Sequence, residues 1–388
     1  MKIIINAHII SMDGPDYENG YIKIDGKTIH SLGNMDDINI QPDDYDAIYD
    51  VEGAMALPGF IDAHCHVGLW EEGAGAEGDD GNEDSDPITP QLRAIDAINP
   101  FDLAFSEALS AGVTTAVTGP GSANVIGGQF AAVKTAGSYV DEMVIKAPVA
   151  MKAALGENPK SVYGGKKQAP STRMATASLL REALFEAKEY VSRMDEYEKN
   201  KDGDRPEPDF KMEALAPVIR GELPLKIHAH RADDIATAIR IGEEFGVKFS
   251  LEHCTEGHLI LPLLAKKNLP VMLGPTLGGR TKPELKNLSF AIYKAFEDAG
   301  IPFAIITDHP EIPLSRLYLC ASLACQSGLS PKTALAAITI NAAVNIGLDK
   351  QIGSLTQGKD ADIVIHDGEL FSLDAKIKAV FVNGMQKV

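Results

Sequence analysis

"PGFIDAHCHVG", residues 58–68, sets two histidines one residue apart at the end of an apolar run. In an extended strand alternate residues share a face, so His64 and His66 point the same way and Cys65 points opposite. A core gains little from two half-polar rings, and a surface strand needs no apolar lead-in. Two imidazole nitrogens converging at a strand end instead make a cradle for a borderline divalent cation such as zinc. Alone the pair is weak, and its weight comes from what accompanies it.

Further apolar, β-rich runs follow: "VTTAVTG", "PVAMKAAL", "PLKIHAH", "KFSLEHC", "LPVMLGP" and "PFAIITDH". Helical patterns fall between most of them, among them "FDLAFSEALSAG", "DIATAIRIGEEFG" and "ELKNLSFAIYKAFEDAG". Strands buried on both faces and separated by helices pair in parallel through crossover connections. With "FIDAHCH" and a less defined strand around 130–137 they make eight, the number in a closed (β/α)8 TIM barrel. An open doubly wound sheet is the alternative, but no GxGxxG follows the first strand of this region.

The two chain ends differ from this middle. "YIKIDGKTIHSLG", "KDADIVIHDG" and "IKAVFVNGMQKV" alternate apolar and polar residues around Asp-Gly and Asn-Gly turns, the pattern of hairpins. The long helical stretch "STRMATASLLREALFEAKEYVSRMDEYEKN" ends in the polar break "KDGDRPEPDF", a surface linker. The acidic, Gly-rich segment from 71 reads as a solvated loop or, directly after the histidine pair, as a lid.

A formal charge of −19 argues against a phosphate-binding surface, so no nucleic-acid partner is expected. No apolar stretch is long enough to span a membrane. "MKIIINAHIISMDG" is broken by Asn6 and His8 and reads as a first strand rather than a signal peptide. Four cysteines without a CxxC form neither a disulfide framework nor a zinc-finger pattern, which favours a reducing cytoplasm.

His228 and His230 end "PLKIHAH", His253 ends "KFSLEHC", and Asp308 ends "PFAIITDH". Barrel enzymes assemble active sites from several strand ends at once. Lys152 lies inside the apolar "PVAMKAAL", where an ammonium is costly unless paired, neutralised or modified. Carboxylated on its amine, it would offer an oxygen bridge between cations. "GPGSANVIGGQ", residues 119–129, is a substrate-shaping turn rather than a phosphate cradle, since no GK[ST] follows. Asn124, Gln129, Tyr163 and His309 are pocket candidates with plain packing as the alternative. Trp70 reads as loop packing, Cys254 as core, and His8, His30, His258 and His366 as structural or solvent-facing.

"PGFIDAHCH", "GVTTAVTGPG" and the terminal "INAAVNIGLDKQIGSLTQGKDADIVIHDG" together resemble the amidohydrolase superfamily, in its prolidase- and imidazolonepropionase-related branch, over nearly the whole chain. The resemblance implies a (β/α)8 barrel over 58–351 and a small β-sandwich formed by 1–57 with 352–388. It implies one or two divalent metals, zinc first among them. Candidate ligands are His64, His66, His228, His253, Asp308 and the bridging Lys152, with Glu157 competing for that bridge and His230 left to substrate or a supporting position. Asp308 would serve as general base and then acid on a C–N amide bond. The expected substrate is a dipeptide, N-acyl amino acid or cyclic amide, and homo-oligomers are common in the superfamily. Deaminases typically carry a glutamate three residues after the fifth-strand histidine. Arg231 stands there instead, suited to a substrate carboxylate or to surface contacts. The competing functions are deamination of a small heterocycle and a metal-free, non-catalytic barrel scaffold.

Overall fold

The computed structural model describes residues 1–201 and 205–388, so positions 202–204 of the polar break lie outside the described residues. Two eight-stranded sheets organise the chain. One is a nearly closed barrel whose strands lie in space in chain order. They are Phe60–Cys65, Val113–Thr118, Ile126–Lys134, Val144–Ala154, Leu225–Ala229, Phe249–His253, Val271–Leu273 and Ala304–Ile305. Each of the seven clear apolar runs overlaps one of them, the fourth strand starting four residues before "PVAMKAAL". At the closing seam the Asp308 N–H donates to the His64 carbonyl at 3.2 Å and the His66 N–H to the His309 carbonyl at 2.9 Å.

The third strand corrects the uniform (β/α)8 expectation. It begins earlier than expected, at Ile126, and runs antiparallel to both neighbours, with Thr115 opposite Lys134 and Phe130 opposite Ala150. The other adjacent barrel strands pair in parallel. The reason is connection length. Parallel strands need a crossover of about a dozen residues or more. The links at 119–125 and 135–143 are shorter, and the chain turns back on itself.

Helices cover the barrel. The longest, Arg173–Asn200, starts where the Thr172 hydroxyl accepts the Ala175 N–H at 3.1 Å. Its buried Thr176, Leu180, Ala183, Leu184, Ala187 and Val191 recur at helical spacing and form one apolar stripe. No helix among the described residues is long and apolar enough to cross a membrane.

The chain ends build the second sheet, as their hairpin patterns suggest. Its order is Met385–Gln386, Lys376–Val382, Ile363–Asp367, Met55–Pro58, Lys2–Ile9, Tyr17–Asp25 and Thr28–Asn34, with Ala47–Asp50 beside the first half of Lys2–Ile9. Ile363 pairs with Pro58, so the two ends of the chain meet immediately before the first barrel strand. Ile4, Ile22, Ile363 and Phe381 are buried in its core.

Lys134, at the end of the reversed strand, joins the two sheets. It is 3% exposed, and its ammonium lies 2.7 Å from Asp360 and 2.5 Å from Asp362. Burial of Asp362 raises its pKa even with Lys134 beside it. Removing one partner of such a cluster strands the other charges in the interior. Lys134→Met is expected to lower the unfolding free energy by about 3–5 kcal/mol. Adding Asp360→Asn and Asp362→Asn should restore most of that loss in urea titrations.

Candidate functional site

Two strand ends, the sixth and the eighth, depart from extended geometry. His253 (φ +71°), Cys254 (φ +46°) and Asp308 (φ +54°) adopt the left-handed region, which costs a non-glycine residue of order 1–3 kcal/mol. The turned backbone aims His253 and Asp308 into the barrel mouth. Asp62, fully buried one turn of the strand below His64, steadies this arrangement. Its carboxyl accepts the Thr307 N–H at 3.0 Å, the Thr307 hydroxyl at 2.5 Å and the His64 N–H at 3.1 Å. Burial pushes its pKa up to about 7.

Around Asp308 stand His64, His66 and Lys152. The Asp308 Oδ1 lies 3.1 Å from His66 Nε2 and 3.5 Å from His64 Nε2, and Lys152 Nζ lies 3.2 Å from His64 Nε2. The His66 Nδ1–H donates to the Gly119 carbonyl at 2.7 Å, and the His253 Nδ1–H to the Gly274 carbonyl at 2.8 Å. A carbonyl only accepts, so the lone pairs of both rings sit on Nε2. His228 Nδ1 meets the Ser122 hydroxyl at 3.0 Å, and His230 Nδ1 meets the Thr255 hydroxyl at 2.8 Å. Nitrogens of His228, His230 and His253 form one close group, and donor atoms of His64, His253 and Asp308 form another, each within 4.8 Å.

Electrostatics fit a cation site. Burial, reinforced by neighbouring positive groups, lowers the pKa of His64 and His228 well below the usual value, and burial lowers that of His230 to about 4 against the pull of Glu284. His253 is depressed likewise, chiefly by burial. Burial also works against the Asp308 carboxylate, yet His253, His66 and Lys152 hold its pKa well below the ordinary range. The result is neutral imidazoles facing an ionised carboxylate. This donor set is the N and O chemistry that first-row divalent cations take.

The barrel interior beneath carries more charge than the two histidine motifs suggest. Lys226 and Glu252 are buried beside Lys152. The Lys226 Nζ and Glu252 Oε2 are 3.0 Å apart, and the same oxygen lies 2.8 Å from His64 Nδ1, off the line of a hydrogen bond. Burial lowers the Lys152 pKa to about 8 against the pull of Asp308 and Glu252. Both ammonium groups lie under 6 Å from the Phe130 ring centre, at 5.7 and 5.8 Å. Lys226 and Glu252 were legible by the reasoning that singles out Lys152, a charge inside an apolar run.

The mouth opens into a pocket of about 370 Å³ lined by His66, Trp70, Ser122, His228, Lys282 and Asp308, among others. Trp70 is more than loop packing, because its ring stands 5.1 Å from that of His66. Gly81 and Gly121 leave room for it, since a Cβ at either would fall within 2.1 or 2.6 Å of the indole. The acidic segment supplies Asn82, whose Oδ1 accepts the Ala123 N–H at 3.1 Å.

Several sequence candidates stand elsewhere. Arg231 pairs with Asp233 at 3.0 Å outside the pocket, as the surface-contact alternative has it. Asn124 and Tyr163 satisfy one another, with the Tyr163 hydroxyl donating to Asn124 Oδ1 at 2.6 Å, and both are buried. Gln129 lines a separate cleft of about 820 Å³ beside Arg93 and Phe210. His309 is buried behind the seam, accepting the Leu314 N–H at 3.2 Å. Glu157 lends its N–H to Glu284 at 3.1 Å. Lys282 and Glu284, on the loop after the seventh strand, carry no periodic signal, and only the fold brings them to the mouth.

The amidohydrolase family model matches residues 55–387. The crystal structure of an amidohydrolase from Thermotoga maritima MSB8 superposes with a TM-score of 0.95 at 39% identity, covering 100% of both chains. The amidohydrolase tasK of Hapsidospora irregularis is 30% identical over 370 residues, 87% of this chain and 37% of that protein. An imidazolonepropionase of Geobacillus kaustophilus (strain HTA426) is 51% identical over 71 residues, 18% of this chain and 17% of its own. The chain thus spans little more than a third of the tasK protein and less of the imidazolonepropionase. The barrel with its converging strand ends and a family match running from the last residues of the terminal sheet to its return agree, and this chain belongs to the amidohydrolase family.

Proposed function

We propose that this chain is a metal-dependent hydrolase cleaving the C–N bond of a small amide. The observation that carries this reading is the convergence of imidazole Nε2 lone pairs and the Asp308 carboxylate at one barrel mouth, with Nδ1 of His66 and His253 tied to backbone carbonyls. His64, His66, His228, His253 and Asp308 would hold one or two cations, zinc first among the candidates, with Lys152 placed to bridge if carboxylated. A cation bound there supplies Lewis acidity, which can bring the pKa of water from about 15.7 towards about 7.

The residues themselves account for the rest. Asp308 is ionised at neutral pH, and its side chain keeps 15% of its surface open to the pocket. In this reading it would take a proton from the attacking water and pass it to the leaving nitrogen. The bonds from Thr307 to Asp62 hold it in position. Lys282, whose ammonium donates to Asn158 Oδ1 at 2.9 Å, is the cation of the pocket wall and takes the carboxylate-binding role that Arg231 cannot fill from outside. A pocket of about 370 Å³ suits a dipeptide, an N-acyl amino acid or a cyclic amide. Local similarity to imidazolonepropionase favours including cyclic amides in that class.

Three measurements test this. Protein purified without chelator should contain zinc, manganese, iron or nickel by mass spectrometry, lose turnover on chelation and regain it on metal return. Absence of metal would favour a non-catalytic barrel. Asp308→Asn should lower kcat by about 10²- to 10⁴-fold with metal content largely intact. Equal loss of metal would make Asp308 a ligand only. Lys282→Met should raise KM about 10- to 100-fold for substrates with a free carboxylate, matching about 1.5–3 kcal/mol for a charged hydrogen bond. Carboxylate-blocked analogues should change little, and an equal effect on both would remove Lys282 from recognition.

A further inference from the structure

Glu252 is fully buried beneath the mouth, on the sixth strand directly before His253. Parallel pairing sets Ser250 beside Lys226 and Glu252 beside His228. The Ser250 hydroxyl donates to Glu252 Oε1. Glu252 Oε2 lies 3.0 Å from Lys226 Nζ and 2.8 Å from His64 Nδ1. Those three facing atoms have no other hydrogen-bond partner among the described residues.

Burial keeps His64 neutral, so its ring carries one N–H and one lone pair. At Nε2 the Lys152 ammonium, 3.2 Å away, can only donate, which puts the lone pair there. At Nδ1 the Glu252 carboxylate can only accept, and it would repel a lone pair 2.8 Å away. The contact stands off the hydrogen-bond line, yet its charge still places the proton on Nδ1. The other rings of the mouth meet neutral groups at Nδ1, the Gly119 and Gly274 carbonyls and the Ser122 and Thr255 hydroxyls. His64 alone among them faces a carboxylate there.

We propose that Glu252 is a positioning residue for His64, holding the ring proton on Nδ1 and the Nε2 lone pair towards the cation site. Ser250 and Lys226 fix the two carboxylate oxygens. An acceptor behind a ligating ring makes its inner nitrogen more basic and sets its orientation. The consequence for metal binding rests on the metal-dependent reading above. A purely structural Glu252 would serve only to neutralise Lys226, because a buried ammonium without a partner is costly.

The test uses the full chain, stripped with a chelator, dialysed and titrated with cobalt(II), followed by metal analysis and visible absorption. The double variant Lys226→Met with Glu252→Met removes the ion pair without stranding either charge. It should bind one cobalt equivalent about 10- to 100-fold more weakly, with altered absorption bands. Lys226→Met with Glu252→Gln returns an uncharged acceptor and should recover part of that loss. Wild-type affinity and bands in the first double variant would overturn the inference and reduce Glu252 to the counter-charge of Lys226. Should these variants fail to fold, ring-nitrogen NMR of the metal-free wild type decides, with the His64 signals identified against His64→Gln. A proton on Nδ1 supports the assignment, and a proton on Nε2 removes it. A wild-type chain that binds no cobalt overturns the metal-dependent reading, and the position of the His64 proton then decides for Glu252 by itself.

Discussion

Two backbone carbonyls, those of Gly119 and Gly274, govern the chemistry of the barrel mouth. Each accepts an Nδ1–H, from His66 and His253 respectively, and so places the lone pair on the inward nitrogen. Glycine is required at both positions by crowding. A Cβ at Gly119 would lie 2.4 Å from the Phe130 ring, and one at Gly274 would lie 2.8 Å from the Ile306 carbonyl. With the rings held in this way, lone pairs and the Asp308 carboxylate face one another as a donor set that could hold a metal ion.

The reversed third strand is part of the same arrangement. Because the chain doubles back at 119–125, the loop stays short and close to the mouth. It supplies the Gly119 carbonyl to His66 and the Ser122 hydroxyl to His228. A crossover helix in its place would carry that backbone away. The same strand carries Lys134 to the sheet of the chain ends, so a single hairpin ties the site to the terminal sheet.

Beneath the mouth the barrel is charged rather than oily. Lys152 and Lys226 are neighbours across the fourth and fifth strands, with Glu252 beside them and Phe130 below both ammonium groups. Buried ion pairs of this kind give little net stability. Their effect is on the histidines above. Both lysines help keep His64 neutral, and Glu252 sits against its Nδ1.

Strand positions and the inward-facing residues at their ends were legible along the chain. Apolar runs of strand length and their alternation with helical patterns are local consequences of backbone geometry, and an HxH on an extended strand must share a face. The same patterns marked the terminal hairpins. Direction of the third strand was not legible, because "VIGGQF" is as apolar in either orientation and only the length of its links decides. Nor were Lys282 and Glu284, whose loop has no period and whose approach to His228 depends on how the seventh strand closes the barrel. Arg231 and His309 sit beside site residues in sequence yet turn away from the pocket, since chain neighbours need not share a direction. Local backbone geometry writes itself into sequence spacing, whereas which distant side chains meet depends on how the barrel closes, and that is a property of the packed whole.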